Sequence, residues 1–208
     1  MADVARELGV SPGNLYNYVE TKDALFELAL HRALDGELGD VAGRLPVPAS
    51  GEPPADWLRR RLDFSDFPAM EAALARERVA DPAAELADVA LELHDVLARV
   101  RPVVETLESS MHELPELAEV FLAVRRELFA RMQRYVTARV ASGAFRPVPD
   151  PAAAARLVVE LAYWTANRRH RDPGPVAISD DRARAALLDF VFHALLSTDA
   201  AGAVARED

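Results

Sequence analysis

Apolar residues recur at steps of three and four along most of the chain, the spacing that places them on one face of an α-helix. The stretch from residue 114 to 142 is the clearest example, with Leu117, Phe121, Val124 and Leu128 at these steps. No segment alternates apolar and polar residues over the length of a strand, and no Asn-Gly or Asp-Gly turn is flanked by β-branched runs. The pattern therefore predicts an all-α protein.

Helix start and stop residues predict three short helices at the beginning of the chain. Gly9 follows the first helix in the position that favours a left-handed backbone. Ser11 is predicted to cap a second helix that reaches about Val19, and Thr21 is predicted to cap a third. We expect these elements to form one domain, residues 1–35.

A second, larger domain is predicted for residues 54–197. The segment 36–54 before it is rich in Gly, Pro and Ala without a helical period, which is typical of a linker or an ordered loop. The domain itself is predicted to contain helices at 54–79 with a break near Pro68, 82–111 with a kink or division near Pro102, 114–142, 150–169 and 179–197.

The first two helices and the turn between them form a helix-turn-helix pattern. Leu15 and Val19 lie one helical turn apart and are expected to pack inward on Val4 and Leu8. The remaining outer face is uncharged and consists of Ser11, Pro12, Gly13, Asn14, Tyr16 and Asn17. In this motif the start of the second helix lies in the major groove of DNA, so the outer face is the candidate reading surface.

The residue types on this surface match what base edges and phosphates require. An Asn side chain such as Asn14 can pair with adenine, and an aromatic ring such as that of Tyr16 can contact a thymine methyl group. Tyr18 and Lys22 flank the surface and suit phosphate contacts, which set the register of a protein on DNA rather than its sequence preference.

These positions resemble the TetR family of bacterial transcriptional repressors. The resemblance is carried by the turn Gly9-Val10-Ser11, the run Leu15-Tyr16-Asn17-Tyr18-Val19, Lys22 and the pair Ala24-Leu25. It implies a repressor without a cofactor or catalytic activity, which binds double-stranded operator DNA as a homodimer. It also implies an all-helical body that binds a small-molecule effector and dimerises through its last two helices.

The chain departs from the family pattern at its beginning. Heads of this family have three helices, and the first helix, with a basic arm before it, is absent here; Met1 stands where the family commonly has Val or Thr. The resemblance implies that the natural protein begins about 20–40 residues earlier, the span of an arm and a capped helix. We expect Val4, Ala5 and Leu8 to lack a covering partner. We also expect weak DNA binding, since residues 1–35 hold three bases and six acids.

Candidate effector-binding residues lie on the middle helices, where apolar and aromatic side chains are joined by a few polar groups. They are Trp57, Phe64, Phe67, Met70, His94, Leu97, Met111, Phe121 and Arg125. A stripe of this kind at helical spacing is also what a buried core requires, so packing remains the alternative for most of them.

The last two predicted helices are the candidate dimer interface. The final helix is apolar on nearly every side, which favours a two-fold four-helix interface over a monomer surface. The candidate interface residues are Leu157, Leu161, Trp164, Leu187, Leu188, Val191, Phe192 and Leu195. Burial within one subunit is the alternative.

Composition narrows the class of protein. The 208 residues contain no cysteine, which excludes a disulfide framework, a thiol nucleophile and a Cys-ligated metal site. No apolar run approaches the roughly 20 residues of a membrane span, and no signal-peptide pattern is present, so we expect a cytoplasmic protein without membrane contact. The net charge of −10 is unusual for a nucleic-acid binder, but a small reading head can sit on an acidic body.

Two other functions remain open. His94-Asp95 is similar to the metal-binding dipeptide of all-helical HD-type phosphohydrolases, although further ligands at matching spacing are missing and His112 with Glu113 is a poor substitute. The chain also lacks the common nucleophile, zinc and nucleotide-binding motifs, so we expect no enzyme. The third possibility is a dimeric effector-binding protein that no longer reads DNA.

Overall fold

The computed structural model describes residues 1–35, 45–61, 67–110, 115–172, 174 and 177–197. The helices in these ranges are α1 Ala2–Glu7, α2 Pro12–Leu15, α3 Lys22–Asp35, α4 Pro54–Arg61, α5 Pro68–Ala75, α6 Pro82–Arg99, α7 Arg101–Ser110, α8 Pro115–Ala141, α9 Pro151–Ala166 and α10 Asp180–Leu195, with a short 3₁₀ turn at Arg168–His170. The all-α prediction is confirmed. None of these described helices is long and apolar enough to cross a membrane.

Local capping explains where several helices begin. The Asp81 carboxylate accepts hydrogen bonds from the backbone N–H groups of Ala83 and Ala84, both at 3.0 Å, and Asp150 caps α9 in the same way. Thr21 Oγ1 accepts the N–H of Ala24 at 3.0 Å at the start of α3. These side chains accept hydrogen bonds from N–H groups that have no partner inside the helix. The start of each of these helices is therefore determined by a residue next to it in the sequence.

The second helix is shorter than its sequence pattern predicts. It ends at Leu15, and the chain turns before Val19. The prediction was wrong here because Val47 takes the backbone out of helical geometry: its N–H donates to the Tyr18 carbonyl at 2.8 Å, and its carbonyl accepts the N–H of Glu20 at 2.9 Å. The result is an isolated parallel β-bridge inside the described residues.

The chain divides into two compact units. The first comprises Met1–Leu62 and Pro102–Phe121, and the second comprises Asp63–Arg101 and Leu122–Asp208. The core of the first unit is a cluster of seven buried residues: Leu30, Ala55, Leu58, Val103, Leu107, Leu117 and Val120. The domain boundaries expected from the sequence, at residues 35 and 54, stay a prediction.

The second unit is built on α6, which packs against α5, α9 and α10. A buried ion pair lies inside it: Arg139 Nε donates to Glu85 Oε1 at 2.6 Å, and Arg139 is only 2% exposed. The same guanidinium donates to the carbonyl oxygens of Arg76, at 3.1 Å, and Ala73 at the end of α5. One side chain of α8 therefore holds both α6 and the end of α5.

The beginning of α5 is also held from α6. Phe67 precedes this helix and has no polar side chain with which to cap it. The carboxylate of Glu92 accepts the N–H of Ala69 at 2.7 Å and the N–H of Met70 at 2.9 Å. The cap of α5 therefore comes from another helix, far along the chain.

Candidate functional site

The turn between α1 and α2 has the geometry that its glycine allows. Gly9 has φ +68°, and the N–H of Val10 donates to the Ala5 carbonyl at 2.9 Å, which closes the end of α1. A residue with a side chain would be strained in this left-handed conformation. The glycine therefore sets the direction in which α2 leaves α1.

The candidate reading surface is exposed, and the residues behind it are buried. All eight predicted DNA-contacting residues are on the surface: Ser11, Pro12, Gly13, Asn14, Tyr16, Asn17, Tyr18 and Lys22. Leu15 and Val19 are buried beneath them. Tyr16 and Asn17 lie in the turn that follows α2 rather than in a helix, so this part of the surface is presented by a turn.

Two hydrogen bonds order the start of this surface. Ser11 Oγ accepts the N–H of Asn14 at 3.3 Å, which is the cap that the sequence predicts. Asn17 Nδ2 donates to Asn14 Oδ1 at 3.0 Å. The Asn14 amide is therefore oriented before it meets any ligand.

The exposure of α1 agrees only in part with the sequence. Val4 is 38% exposed and Leu8 is 63% exposed, as expected for residues without a covering partner. Ala5 is buried, contrary to that expectation, because it is small and lies under the Gly9 turn, where its carbonyl accepts from Val10. An apolar groove of about 620 Å³ runs beside these residues and is lined in part by Leu8, Leu15, Val19, Leu25, Leu28 and Val47.

The effector candidates fall into both compact units. Trp57 and Phe121 pack, half-buried, on the core cluster of the first unit. In the second unit, Phe67, Met70 and Leu97 are buried and present almost no surface to a ligand.

Arg125 is the polar effector candidate whose side chain is still half-exposed. Its guanidinium donates to Glu160 at 2.7 Å and lies 5.3 Å from the centre of the Phe129 ring. Two further effector candidates, Phe64 and Met111, lie outside the described residues.

His94 is buried with one ring nitrogen unused. Its Nδ1 lies 3.2 Å from Asp95 Oδ1, and Asp95 is paired in turn with Arg184 of α10. Within the described part of the chain, His94 Nε2 has no hydrogen-bond partner. Burial lowers the pKa of His94; the Asp95 hydrogen bond opposes this shift, and the positive charges of Arg184 and Arg169 add to it.

This arrangement predicts that the protein is destabilised by acid. The unfolded chain protonates His94 near pH 6.5, while the folded chain does so only at lower pH. Stability is therefore full above pH 6.5 and falls as the pH decreases, with a slope of at most about 1.4 kcal/mol per pH unit from this group. The free energy of unfolding, measured with urea, should fall between pH 7.5 and pH 5.5 by less in His94→Gln than in the parent protein. The control His193→Gln, at an exposed position, should lose as much as the parent; equal losses in all three proteins would contradict the prediction.

No group of three or more His, Cys, Asp or Glu side chains in the described ranges is arranged to hold a metal ion. The Asp95 carboxylate, which the phosphohydrolase alternative would use as a ligand, is occupied by Arg184. The structure therefore adds nothing to the enzyme alternative.

The candidate interface residues divide into two groups. Leu187, Val191, Phe192 and Leu195 are buried within the chain itself, with Leu187 at 0% exposure, so they have little or no surface left for a partner. Leu161 and Leu188 are half-buried, whereas Leu157 and Trp164 are exposed. Leu157, Leu161, Trp164 and Leu188 therefore keep surface that a partner could bury, and so does exposed Phe190. Phe190 and Leu157 line the same apolar groove of about 450 Å³. The interface itself stays a prediction.

The sequence did not predict that residues 45–50 contact the helix-turn-helix region. Residues 45–50 were expected to be a linker or loop, yet they pair with the turn after α2 through Val47 and with α3 through Glu27, whose carboxylate accepts the N–H of Ser50 at 2.8 Å. A single pair of backbone hydrogen bonds leaves no periodic pattern in a sequence, so only the β-branched Val47 beside Pro46 could have hinted at extended backbone.

A helix-turn-helix head followed by a long all-helical region defines a class of transcriptional regulators. Residues 84–193, more than half of the chain, match the family model described as "AefR-like transcriptional repressor, C-terminal domain". The chain belongs to the TetR family of transcriptional regulators.

Among solved structures, one has a sequence that aligns with this chain over most of its length. It is a TetR family transcriptional regulator, PfmR, from Thermus thermophilus, with 24% identity and a TM-score of 0.48, over 91% of this chain and 84% of that one. No curated protein matches the chain.

Proposed function

We propose that this chain is a homodimeric repressor that binds double-stranded operator DNA and is released by a small-molecule effector. It acts in the cytoplasm and without catalysis. The observation that carries the proposal is the uncharged, exposed surface on and just after α2, held over buried Leu15 and Val19 and entered through the Gly9 turn. Small and amide side chains at this place allow the backbone to approach base edges closely.

Four residues on and beside the reading surface have one of two roles in this proposal. Asn14 and Tyr16 contact base edges, and Tyr18 and Lys22 contact phosphates on either side. A two-fold dimer presents two such surfaces to half-sites about one helical turn of DNA apart. An effector that binds better to a second arrangement of the dimer lowers the fraction that fits this spacing.

The body supplies the effector site. Among the residues that the structure describes, His94 Nε2 is buried without a hydrogen-bond partner, and the half-buried Arg125 guanidinium lies between aromatic rings. In this proposal the effector offers a hydrogen-bond donor to His94 or an acceptor to Arg125.

The proposed roles predict two different binding defects. Lys22→Ala should weaken binding to selected and to random DNA alike and lower the slope of log affinity against log salt by about one. Asn14→Ala should leave that slope unchanged and relax the preference at one base pair by about 1–3 kcal/mol. The measurement is DNA affinity at several salt concentrations, with a target chosen by selection from a random library. Equal losses on both DNAs for both variants would contradict the roles.

The alternative is a dimeric effector-binding protein without DNA binding. It is favoured by the acidic balance of residues 1–35 and by the exposure of Val4 and Leu8. A protein that dimerises but enriches no sequence from the random library would support this alternative over the repressor.

A further inference from the structure

Residues 45–50 form a segment, here called the strap, that is hydrogen-bonded to the head through Val47. Val47 donates its N–H to the Tyr18 carbonyl at 2.8 Å and accepts the N–H of Glu20 at 2.9 Å. Its side chain lines the apolar groove together with Leu15 and Val19. The strap is thus hydrogen-bonded to the backbone on both sides of Val19, directly after the reading surface.

The strap is also fixed at its far end. The N–H of Ser50 donates to Glu27 Oε2 at 2.8 Å, and Glu27 belongs to α3. A few residues further on, Ala55 and Leu58 of α4 are part of the buried core of the same unit. Because both the middle and the end of the strap are held, its position relative to α3 is defined.

The residues of the reading surface depend on this strap to different degrees. Asn14 is held by its local contacts with Ser11 and Asn17, and Lys22 is the first residue of α3. Tyr18 lies in a turn, and its carbonyl accepts from the strap. The Tyr18 N–H is held within the turn by the Leu15 carbonyl at 2.9 Å, whereas the Tyr18 carbonyl is held from outside the turn, by the N–H of Val47.

We propose that the strap is a positioning element for DNA recognition, in which Val47 and Glu27 hold Tyr18 where it meets a phosphate. This inference rests on the proposed repressor function. Val47 and Glu27 are positioning residues, since they act through Tyr18 and do not touch the DNA themselves.

A double-mutant cycle separates positioning from general damage to the head. Tyr18→Phe removes the hydroxyl that would contact a phosphate and should weaken binding to the selected DNA about fivefold in the parent protein. In a Val47→Pro background, which lacks the N–H donor, the same change should have almost no further effect. Asn14→Ala should cost the same in both backgrounds because the strap does not hold it.

Three further variants keep the proposal testable if the Val47→Pro protein does not fold. Glu27→Ala removes the acceptor for Ser50 and should also reduce the effect of Tyr18→Phe, whereas Glu27→Gln keeps an acceptor oxygen and should restore it. Val47→Ala keeps the N–H and is the control for the loss of the side chain. Amide hydrogen exchange should show faster exchange at Glu20 and Val47 in Glu27→Ala than in Glu27→Gln.

The outcomes separate this inference from the function on which it rests. If the parent protein enriches no sequence, the repressor proposal fails and the role of the strap fails with it. If the parent binds a selected sequence and the effects of Val47→Pro and Glu27→Ala add to that of Tyr18→Phe, the repressor stands and the strap has no positioning role.

Discussion

Replacing Arg139 with Met is expected to lower the free energy of unfolding by about 3–5 kcal/mol. The substitution keeps much of the volume but leaves the buried Glu85 carboxylate with only the exposed Arg76 guanidinium, 4.0 Å away, as a charge partner. It also removes the donor to two carbonyl oxygens at the end of α5. Urea unfolding at neutral pH, followed by circular dichroism, measures the loss.

Two controls make this expectation specific. The double variant Arg139→Met with Glu85→Leu removes both charges and should recover most of the lost stability, because no unpaired charge remains in the core. Arg59→Ala breaks a pair with Asp56 whose side chains are both half-exposed, and it should cost at most about 1 kcal/mol. A single Arg139 variant as stable as the Arg59 variant would show that the buried pair contributes little.

Introducing Leu157→Glu together with Phe190→Glu is expected to abolish dimerisation and operator binding. Both side chains are well exposed in the single chain, at 69% and 64%, so the charges are harmless to the fold of a monomer. In a dimer that buries this surface, the carboxylates would be desolvated without a partner. A monomer holds only one half-site, so we expect operator affinity to fall by about 100-fold or more.

The matched control for this surface is Leu122→Glu. Leu122 is another exposed leucine, on α8, and the same change there should leave the dimer and its DNA affinity intact. Mass measurement by light scattering at micromolar concentration, together with DNA binding, gives the answer. A Leu157 and Phe190 variant that stays dimeric would place the interface elsewhere.

The elements that the sequence predicts well are those whose boundaries depend on neighbouring residues. Ser11 caps α2 as expected, and Asp150 and Ser179 cap α9 and α10 in the same way, because a cap needs only a side chain and N–H groups two or three residues away. The division of the long segment near Pro102 follows from the missing N–H of proline.

The features that sequence reasoning missed all depend on distant partners. The end of α2 is decided by Val47, and the position of Arg139 in the core is decided by Glu85 on another helix. An arginine among apolar residues at helical spacing is usually exposed, so nothing local distinguishes this one.

Within α10, periodicity alone did not separate the residues of the chain's own core from those on its surface. Leu187 is fully buried while Phe190 is mostly exposed, yet both belong to a stretch that is apolar on nearly every side. Only the packing of α10 on α6 and α9 decides which of them faces inward. The exposure of the candidate reading-surface residues, by contrast, agrees with the sequence pattern, whereas the turn that presents Tyr16 and Asn17 does not follow from it.

The cap that Glu92 provides for α5 has a consequence for the order of folding. An eight-residue helix is too short to be stable alone, and α5 has no capping side chain of its own to nucleate it. Its first N–H groups find their acceptor only after α6 has formed and docked. We therefore expect α5 to be a late element that completes the second unit after its other helices have come together.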